Sequence, residues 1–243
     1  MAEEPFRDPL AELLGEAGLG RCLDLASGRG AFSGRLAALA PATCWILLDT
    51  DLAQLREARA GLGPQLGAPL LPLQSRAERV PLAAGSLDTV ALSFSLHHLG
   101  RPGRVLREAC RLLKPGGRLI LAEPLADGLR PLQTIHRDLH HLSARLDRRL
   151  GRCHRPTYPL RALRRLLDGL PLAWRSTCWR PADLPPTETA QLAPVLDTLS
   201  RLDAELRRRH LPGLRRRLAE IRVRVEREGY GCQTQYLAVG VRR

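Results

Sequence analysis

Between Arg21 and Ala122 the chain alternates strand-sized apolar runs with stretches of helical character, and this alternation is its strongest constraint. Arg21–Leu25, Cys44–Leu48, Pro69–Leu73, Thr89–Phe94 and Arg118–Ala122 read as strands. Phe32–Leu39, Leu52–Ala60 and Arg101–Leu113 read as helices between them. Strands joined through helices build right-handed βαβ units, and so a parallel sheet. Trp45-Ile46-Leu47-Leu48 and Leu119-Ile120-Leu121-Ala122 are apolar at every position, which suits strands covered on both faces.

Outside that block the pattern differs. Residues 9–18 read as a short amphipathic helix ending at glycine. Residues 125–150 are rich in Arg, His and Leu, with Leu132, Ile135, Leu139, Leu142 and Leu146 at helical spacing. Gly151–Pro159 reads as a loop, Leu160–Leu167 as a helix and Ala173–Trp179 as a strand. A proline-rich break at Pro181–Pro186 precedes one or two helices over 188–228, with a break expected at Pro212-Gly213. Gln235–Val241 reads as a strand. The 243 residues are expected to form a single domain. Its parts are an N-terminal helical segment (1–20), a core (21–123), a helical lid (124–170) and a helical insertion before the last strand (187–229).

The chain carries 38 Lys+Arg against 25 Asp+Glu, a formal charge of +13, which invites a nucleic-acid reading. Yet Lys114 is the only lysine and asparagine is absent. Residues with AT-rich codons are scarce together, so a GC-rich genome accounts for arginine standing in place of lysine. The densest basic stretch, Arg207–Arg217, lies opposite an apolar stripe of Leu199, Leu202, Leu206, Leu214, Leu218, Ile221 and Val225. That is an amphipathic helix pair with a solvated face, and it lacks interleaved aromatics for base stacking. Nucleic acid is therefore not the expected partner. The apolar runs are too short to cross a membrane, and Glu3 and Glu4 stand where a secretion signal needs positive charge. The six cysteines form no CxxC pair and read as free thiols in a reducing cytoplasm.

The chemistry concentrates in Arg21-Cys-Leu-Asp-Leu-Ala-Ser-Gly-Arg-Gly-Ala-Phe-Ser33, where a strand ends in a small-residue loop that opens a helix. Such a loop lets a ligand approach the backbone closely. Asp49 closes the second strand about twenty residues on, where an acid meets ribose hydroxyls in nucleotide-binding folds. Ala77-Glu-Arg-Val-Pro-Leu-Ala-Ala-Gly-Ser-Leu-Asp88 leads into the fourth strand. Leu112-Leu-Lys-Pro-Gly-Gly-Arg-Leu119 reads as a helix end, a turn and a fifth strand.

As a set, these motifs resemble the class I S-adenosylmethionine-dependent methyltransferases, most closely the type 11 small-molecule group, over residues 21–123. The resemblance implies a three-layer Rossmann-like α/β sandwich. Its seven-stranded sheet would be mainly parallel, with the last strand antiparallel between the fifth and sixth. It also implies S-adenosylmethionine as cofactor and a small-molecule methyl acceptor. Carried over by position, Asp24, Ala26, Ser27, Gly28 and Gly30 hold the amino-acid part of the cofactor. Asp49 and Thr50 take the ribose, Arg76 and Ala77 lie near adenine, and Ser93 and Phe94 face the reacting methyl. Two positions depart from the family pattern. Ala26 stands where a glycine is usual, which is tolerable at negative φ, and Arg76 stands where an acid usually accepts from the adenine amine. An NAD loop would need G-x-G-x-x-G, and Ala26-Ser-Gly-Arg-Gly-Ala31 lacks its first and last glycines.

His97-His98 follows the fourth strand, and a paired histidine there is common in the family. His98 is the expected general base near the acceptor, while His97 reads as a packing residue. Tyr158 is expected to offer a hydroxyl from the lid. A roof of Arg, His and Leu suits an acceptor with an apolar body and an anionic or polar group. His136 and His140 share a helix face, but no HExxH acid pattern or third ligand accompanies them, so no metal is expected. The reading is methyl transfer to a small nucleophile. The alternatives are an RNA methyltransferase using the arginine-rich helices, or a non-catalytic protein of the cofactor fold.

Overall fold

A computed structural model describes residues 8–243; Glu3 and Glu4 lie outside the described residues. The chain divides into two compact units.

The first unit comprises the chain up to Glu123 together with Arg164–Cys178 and Tyr236–Arg243. Its elements begin with α1 (Pro9–Leu14), β1 (Gly20–Leu25), α2 (Ala31–Ala37) and β2 (Ala42–Asp49). Next come α3 (Leu52–Gly61), β3 (Leu70–Gln74), β4 (Leu87–Ser93), α4 (Pro102–Leu112) and β5 (Leu113–Pro124). Helix α5 (Pro131–Arg149) belongs to the second unit, and α6 (Leu160–Leu167) begins there. Strand β6 (Leu172–Trp179) returns the chain to the sheet, which β9 (Gln235–Arg242) completes. The seven-stranded mixed sheet has the order β3-β2-β1-β4-β5-β9-β6. Strands β3, β2, β1, β4 and β5 pair in parallel. The apolar quartets of β2 and β5, Trp45–Leu48 and Leu119–Ala122, are buried throughout, as two-sided cover requires. The final strand sits between the fifth and sixth, as the resemblance implied.

Two local features refine the sequence reading. Lys114-Pro115-Gly116-Gly117, expected as a turn before a strand, lies inside β5, which begins at Leu113. Leu87 of β4 faces Leu113, while Thr89 faces Arg118, so the Lys-Pro-Gly-Gly segment is an irregularity in a continuous strand. Gly30 caps α2 at φ 78°, and a Cβ there would lie 2.7 Å from Leu62 Cδ2 and 2.9 Å from Leu47 Cδ2. Both conformation and packing therefore demand glycine.

The second unit comprises Pro124–Leu163 and Trp179–Gln235. Besides α5 it holds β7 (Asp183–Leu184), α7 (Thr189–Arg208), α8 (Pro212–Glu228) and β8 (Tyr230–Gly231). The proline-rich break thus contains a two-residue strand, which pairs antiparallel with β8. The helical interruption falls at Arg209–Leu211, and Pro212 opens α8, a position where its missing N–H costs nothing. Sequence reading took the lid and the insertion as separate pieces. In the structure they share one core, in which Ile135, Leu139 and Leu142 of α5 join Leu199 and Leu206 of α7 and Leu218 and Val225 of α8. No helix among the described residues is long and apolar enough to cross a membrane.

Candidate cofactor site

In a strand order of 3-2-1-4-5 the chain reverses direction of travel between β1 and β4. Ligands of open α/β sheets bind beyond the carboxyl ends of the strands at such a switch point. Both strands end in strained backbone here. Ala26, one residue past β1, has φ 54°, and Phe94, one residue past β4, has φ 49°. The alanine therefore does not take the negative φ under which its replacement of glycine is free of cost. Left-handed backbone at a residue with a Cβ costs about 1–2 kcal/mol and concentrates where function fixes geometry. Phe94 is 37% exposed, a large apolar ring left in solvent at the same end of the sheet.

The loop after β1 is organised by two acids. Asp24 is 1% exposed and accepts a hydrogen bond from Ser33 Oγ at 2.7 Å. Burial pushes its carboxyl up to about 7; the Ser33 hydrogen bonds pull the other way and nearby Asp49 adds to the rise. Asp49 ends β2, and its two oxygens accept the Gly28 and Asp51 backbone N–H groups, each at 2.9 Å. These two hydrogen bonds fix the carboxylate, while its remaining lone pairs can accept from a diol. Gly28 has φ 53°, and a Cβ there would come within 3.2 Å of Gln54 Oε1. The Ser27 hydroxyl is buried and has no hydrogen-bond partner among the described residues. Thr50 follows on the same rim, its carbonyl accepting from Gln74 Nε2 at 3.0 Å.

Beyond β3, Ala77 is buried and Arg76 is not: the Arg76 side chain is 82% exposed and lies 3.8 Å from Glu78. At that exposure the guanidinium lies in solvent. After β4, Ser93 is half-buried. His97 is fully buried with Nδ1 2.9 Å from Glu123 Oε2, and the exposed His98 ring lies 4.4 Å from that of His97. Glu123 is also fully buried, and its Oε1 accepts the Ser95 and Leu96 N–H groups at 2.7 and 2.8 Å. Sequence reading missed both Glu123 and Ser33. The signal for the first was an acid directly after an apolar strand, a position an unpaired carboxylate could not tolerate.

Tyr158 belongs to the second unit, where its backbone bridges Leu125 and its carbonyl accepts from the Ala126 N–H. In that unit Asp147 Oδ2 lies 2.7 Å from His154 Nδ1, and His154 Nε2 lies 3.1 Å from His140 Nε2. His141 Nε2 accepts the Thr157 N–H at 3.2 Å. The arginine-rich helices are internally paired: Asp203 takes Arg207 at 2.7 Å and Arg215 at 2.9 Å, and Glu205 takes Arg208 and Arg209. All six cysteines are free thiols.

Comparison with known proteins agrees with this geometry. A family model described as "Methyltransferase domain" matches residues 23–121. The ubiquinone/menaquinone biosynthesis C-methyltransferase UbiE of Syntrophotalea carbinolica is 37% identical over 119 residues, covering 46% of this chain and 50% of that protein. The malonyl-[acyl-carrier protein] O-methyltransferase of Methylococcus capsulatus is 36% identical over 105 residues, covering 41% and 35%. The chain thus spans half or less of these curated relatives' length. The crystal structure of YcgJ from Bacillus subtilis shares the fold, with a TM-score of 0.64 and 16% identity over 96% of each chain. The sheet order and the loop between β1 and α2 define a class I S-adenosylmethionine-dependent methyltransferase fold. The family model that residues 23–121 match is that of methyltransferase domains, which use S-adenosylmethionine as methyl donor.

Proposed function

We propose that this protein transfers a methyl group from S-adenosylmethionine to a small-molecule nucleophile. The observation that carries the reading is the pair of strained residues, Ala26 and Phe94, ending the two strands that flank the switch point. The cradle suits the cofactor: a partnerless buried hydroxyl at Ser27, a glycine at 28 where a Cβ would crowd Gln54, and a pinned carboxylate at Asp49. Asp24, Ala26, Ser27, Gly28 and Gly30 would hold the amino-acid end, with Asp24 meeting its ammonium. Asp49 and Thr50 would hold the ribose. The exposed Arg76 leaves the adenine edge to the Ala77 backbone, and Ser93 and Phe94 would border the methyl. The bound sulfonium supplies the electrophilic methyl, so the chain's task is alignment of the acceptor and removal of any proton it must lose.

His98 is proposed as the group that takes that proton, Tyr158 as a hydrogen-bond donor to the acceptor, and residues 124–170 as supplying the acceptor's binding groups. No metal enters this scheme. Six thiols outside any disulfide suit a cytoplasmic setting.

Calorimetry with S-adenosylhomocysteine tests the cofactor half. Asp49→Ala is expected to weaken binding by about 1.5–3 kcal/mol, the scale of charge-assisted hydrogen bonds. Tighter binding of NAD than of S-adenosylhomocysteine would overturn the assignment. His98→Ala and Tyr158→Phe should lower labelled-methyl incorporation while leaving S-adenosylhomocysteine affinity within about twofold; full activity in both variants would remove them from the acceptor site.

A further inference from the structure

The second unit contains a cavity of about 410 Å³ between α5 and α7. That volume lies in the range of small-ligand sites, roughly 300–1,000 Å³. Leu139, Leu184, Pro194 and Val195 form its apolar wall. The remaining lining is polar, yet it includes no Asp, Glu, Lys or Arg. This is unusual ground in a chain with 38 Lys+Arg, and above all in helices that carry arginines along their outer faces. The arginines and acids of these helices are kept out of the cavity wall, whose titratable groups include the imidazoles of His136 and His140.

The polar groups are also oriented. His136, on the α5 side, accepts the Gln233 backbone N–H at Nδ1, 3.1 Å away. A lone pair engaged at Nδ1 places the neutral ring's proton on Nε2, so His136 presents a fixed donor. Burial pushes its pKa down to about 4, which keeps the ring neutral at physiological pH. The Tyr230 ring packs beside it at 5.4 Å, and burial pushes that phenol up, so it stays protonated. Ser143 donates its O–H to the Leu139 carbonyl at 3.2 Å and Thr198 donates to Pro194 at 2.9 Å. Both hydroxyls thereby turn their protons to the helix backbone. The wall thus offers apolar area and an imidazole N–H donor, without an arginine, lysine or carboxylate to meet an ionic ligand.

We propose that this cavity binds an uncharged, ring-sized molecule with an apolar body and an oxygen atom that accepts a hydrogen bond from His136 Nε2. An anionic ligand would lose its hydration there with no lysine or arginine in the lining to replace it. Of the anionic or polar groups that the sequence left open, the lining selects the neutral one. Reading the occupant as the methyl acceptor rests on the proposed methyl transfer; the cavity's preference for a neutral oxygen compound does not.

The test uses the full chain and three probes: 2-naphthol, naphthalene and 2-naphthalenesulfonate, titrated by fluorescence. The expected result is saturable one-to-one binding of 2-naphthol, with the sulfonate at least thirtyfold weaker. His136→Phe should weaken 2-naphthol five- to tenfold and leave naphthalene within twofold. Val195→Trp fills the cavity and should weaken both neutral probes at least tenfold. Should that variant fail to fold by circular dichroism, Thr198→Leu, one turn along the same face of α7, serves the same purpose. Equal affinity for the sulfonate, or naphthol binding unmoved by His136→Phe and by a folded cavity-filling variant, would overturn the proposal. S-Adenosylhomocysteine titration alongside separates the two readings. Naphthol binding without cofactor binding sinks the methyl-transfer function and leaves the cavity standing, and the converse sinks only the cavity.

Discussion

Replacing Asp24 with asparagine should stabilise the fold, and by an amount that depends on pH. Asp24 is 1% exposed, and burial is the first cause of a carboxyl pKa near 7 in place of 3.8. Between about pH 4 and pH 7 the native state therefore holds a proton that the unfolded chain has released. Stability falls with rising pH wherever the native state binds the extra proton. The wild type thus loses stability as pH rises through this window, and the loss is complete above pH 7. A rise of about three pH units at 1.36 kcal/mol each sets the full penalty at about 4 kcal/mol. Asparagine resembles the protonated acid: its oxygen can still accept from Ser33 Oγ, and it has no charge to desolvate. Urea denaturation of both proteins at pH 5, 6, 7 and 8 should show the variant's advantage growing with pH. It should be small near pH 5 and reach about 2–4 kcal/mol at pH 8, at unchanged m-value. An offset that is the same at pH 5 and pH 8, or a variant less stable than wild type at pH 8, would refute the argument. The same substitution should cost cofactor affinity, because a cofactor ammonium is the partner that makes the buried charge favourable.

Other expectations follow from the same geometry. Ala26→Gly relieves a left-handed φ and should raise stability by about 1 kcal/mol, read as a higher urea midpoint. Glu123→Ala strips two backbone N–H groups and the His97 ring of their buried acceptor, and should cost about 3–5 kcal/mol in the same assay. Since Asp203 and Glu205 already engage four of the helix arginines, RNA binding should be weak at physiological salt. A gel-shift series showing tight, sequence-selective binding, lost on replacing Arg207–Arg209 and Arg215–Arg217, would restore the RNA reading; true phosphate contacts would each add about 0.7–0.9 to the log–log salt slope.

The core strands were legible because their apolar runs are continuous and the helices between them begin at a glycine, an acid or a proline: Gly30, Asp51 and Pro102. Asp51, for example, accepts the Ala53 N–H and opens α3 one residue before the expected run. The site was legible only where a residue type announces its role. Asp49 and Gly30 did so, but an alanine at 26 points to negative φ, and only the fold shows the left-handed backbone it takes. Glu123 escaped because its partners are the N–H groups of Ser95 and Leu96, nearly thirty residues back. His154 escaped for a similar reason: it lies in a loop without periodicity, and only the fold brings it to Asp147 and His140. The shared core of residues 124–163 and 179–235 was hidden because each helix shows its apolar stripe without naming the stripe it meets.

The place of β9 between β5 and β6 has a consequence for how the sheet is made. On a ribosome, β1 to β5 can pair as they emerge, since every neighbour each of them has on that side of the sheet is made before β5 is complete. After that, β5 must wait for more than a hundred residues with one edge open, and β6 is synthesised with no partner at all. The waiting edge includes Leu119–Ala122, four residues with no polar side chain and no exposure in the finished fold. An unpaired apolar edge is the surface on which nascent chains aggregate. Assembly of this sheet is therefore closed from the inside by its last-made strand. The interval before β9 arrives is when the chain most needs a chaperone.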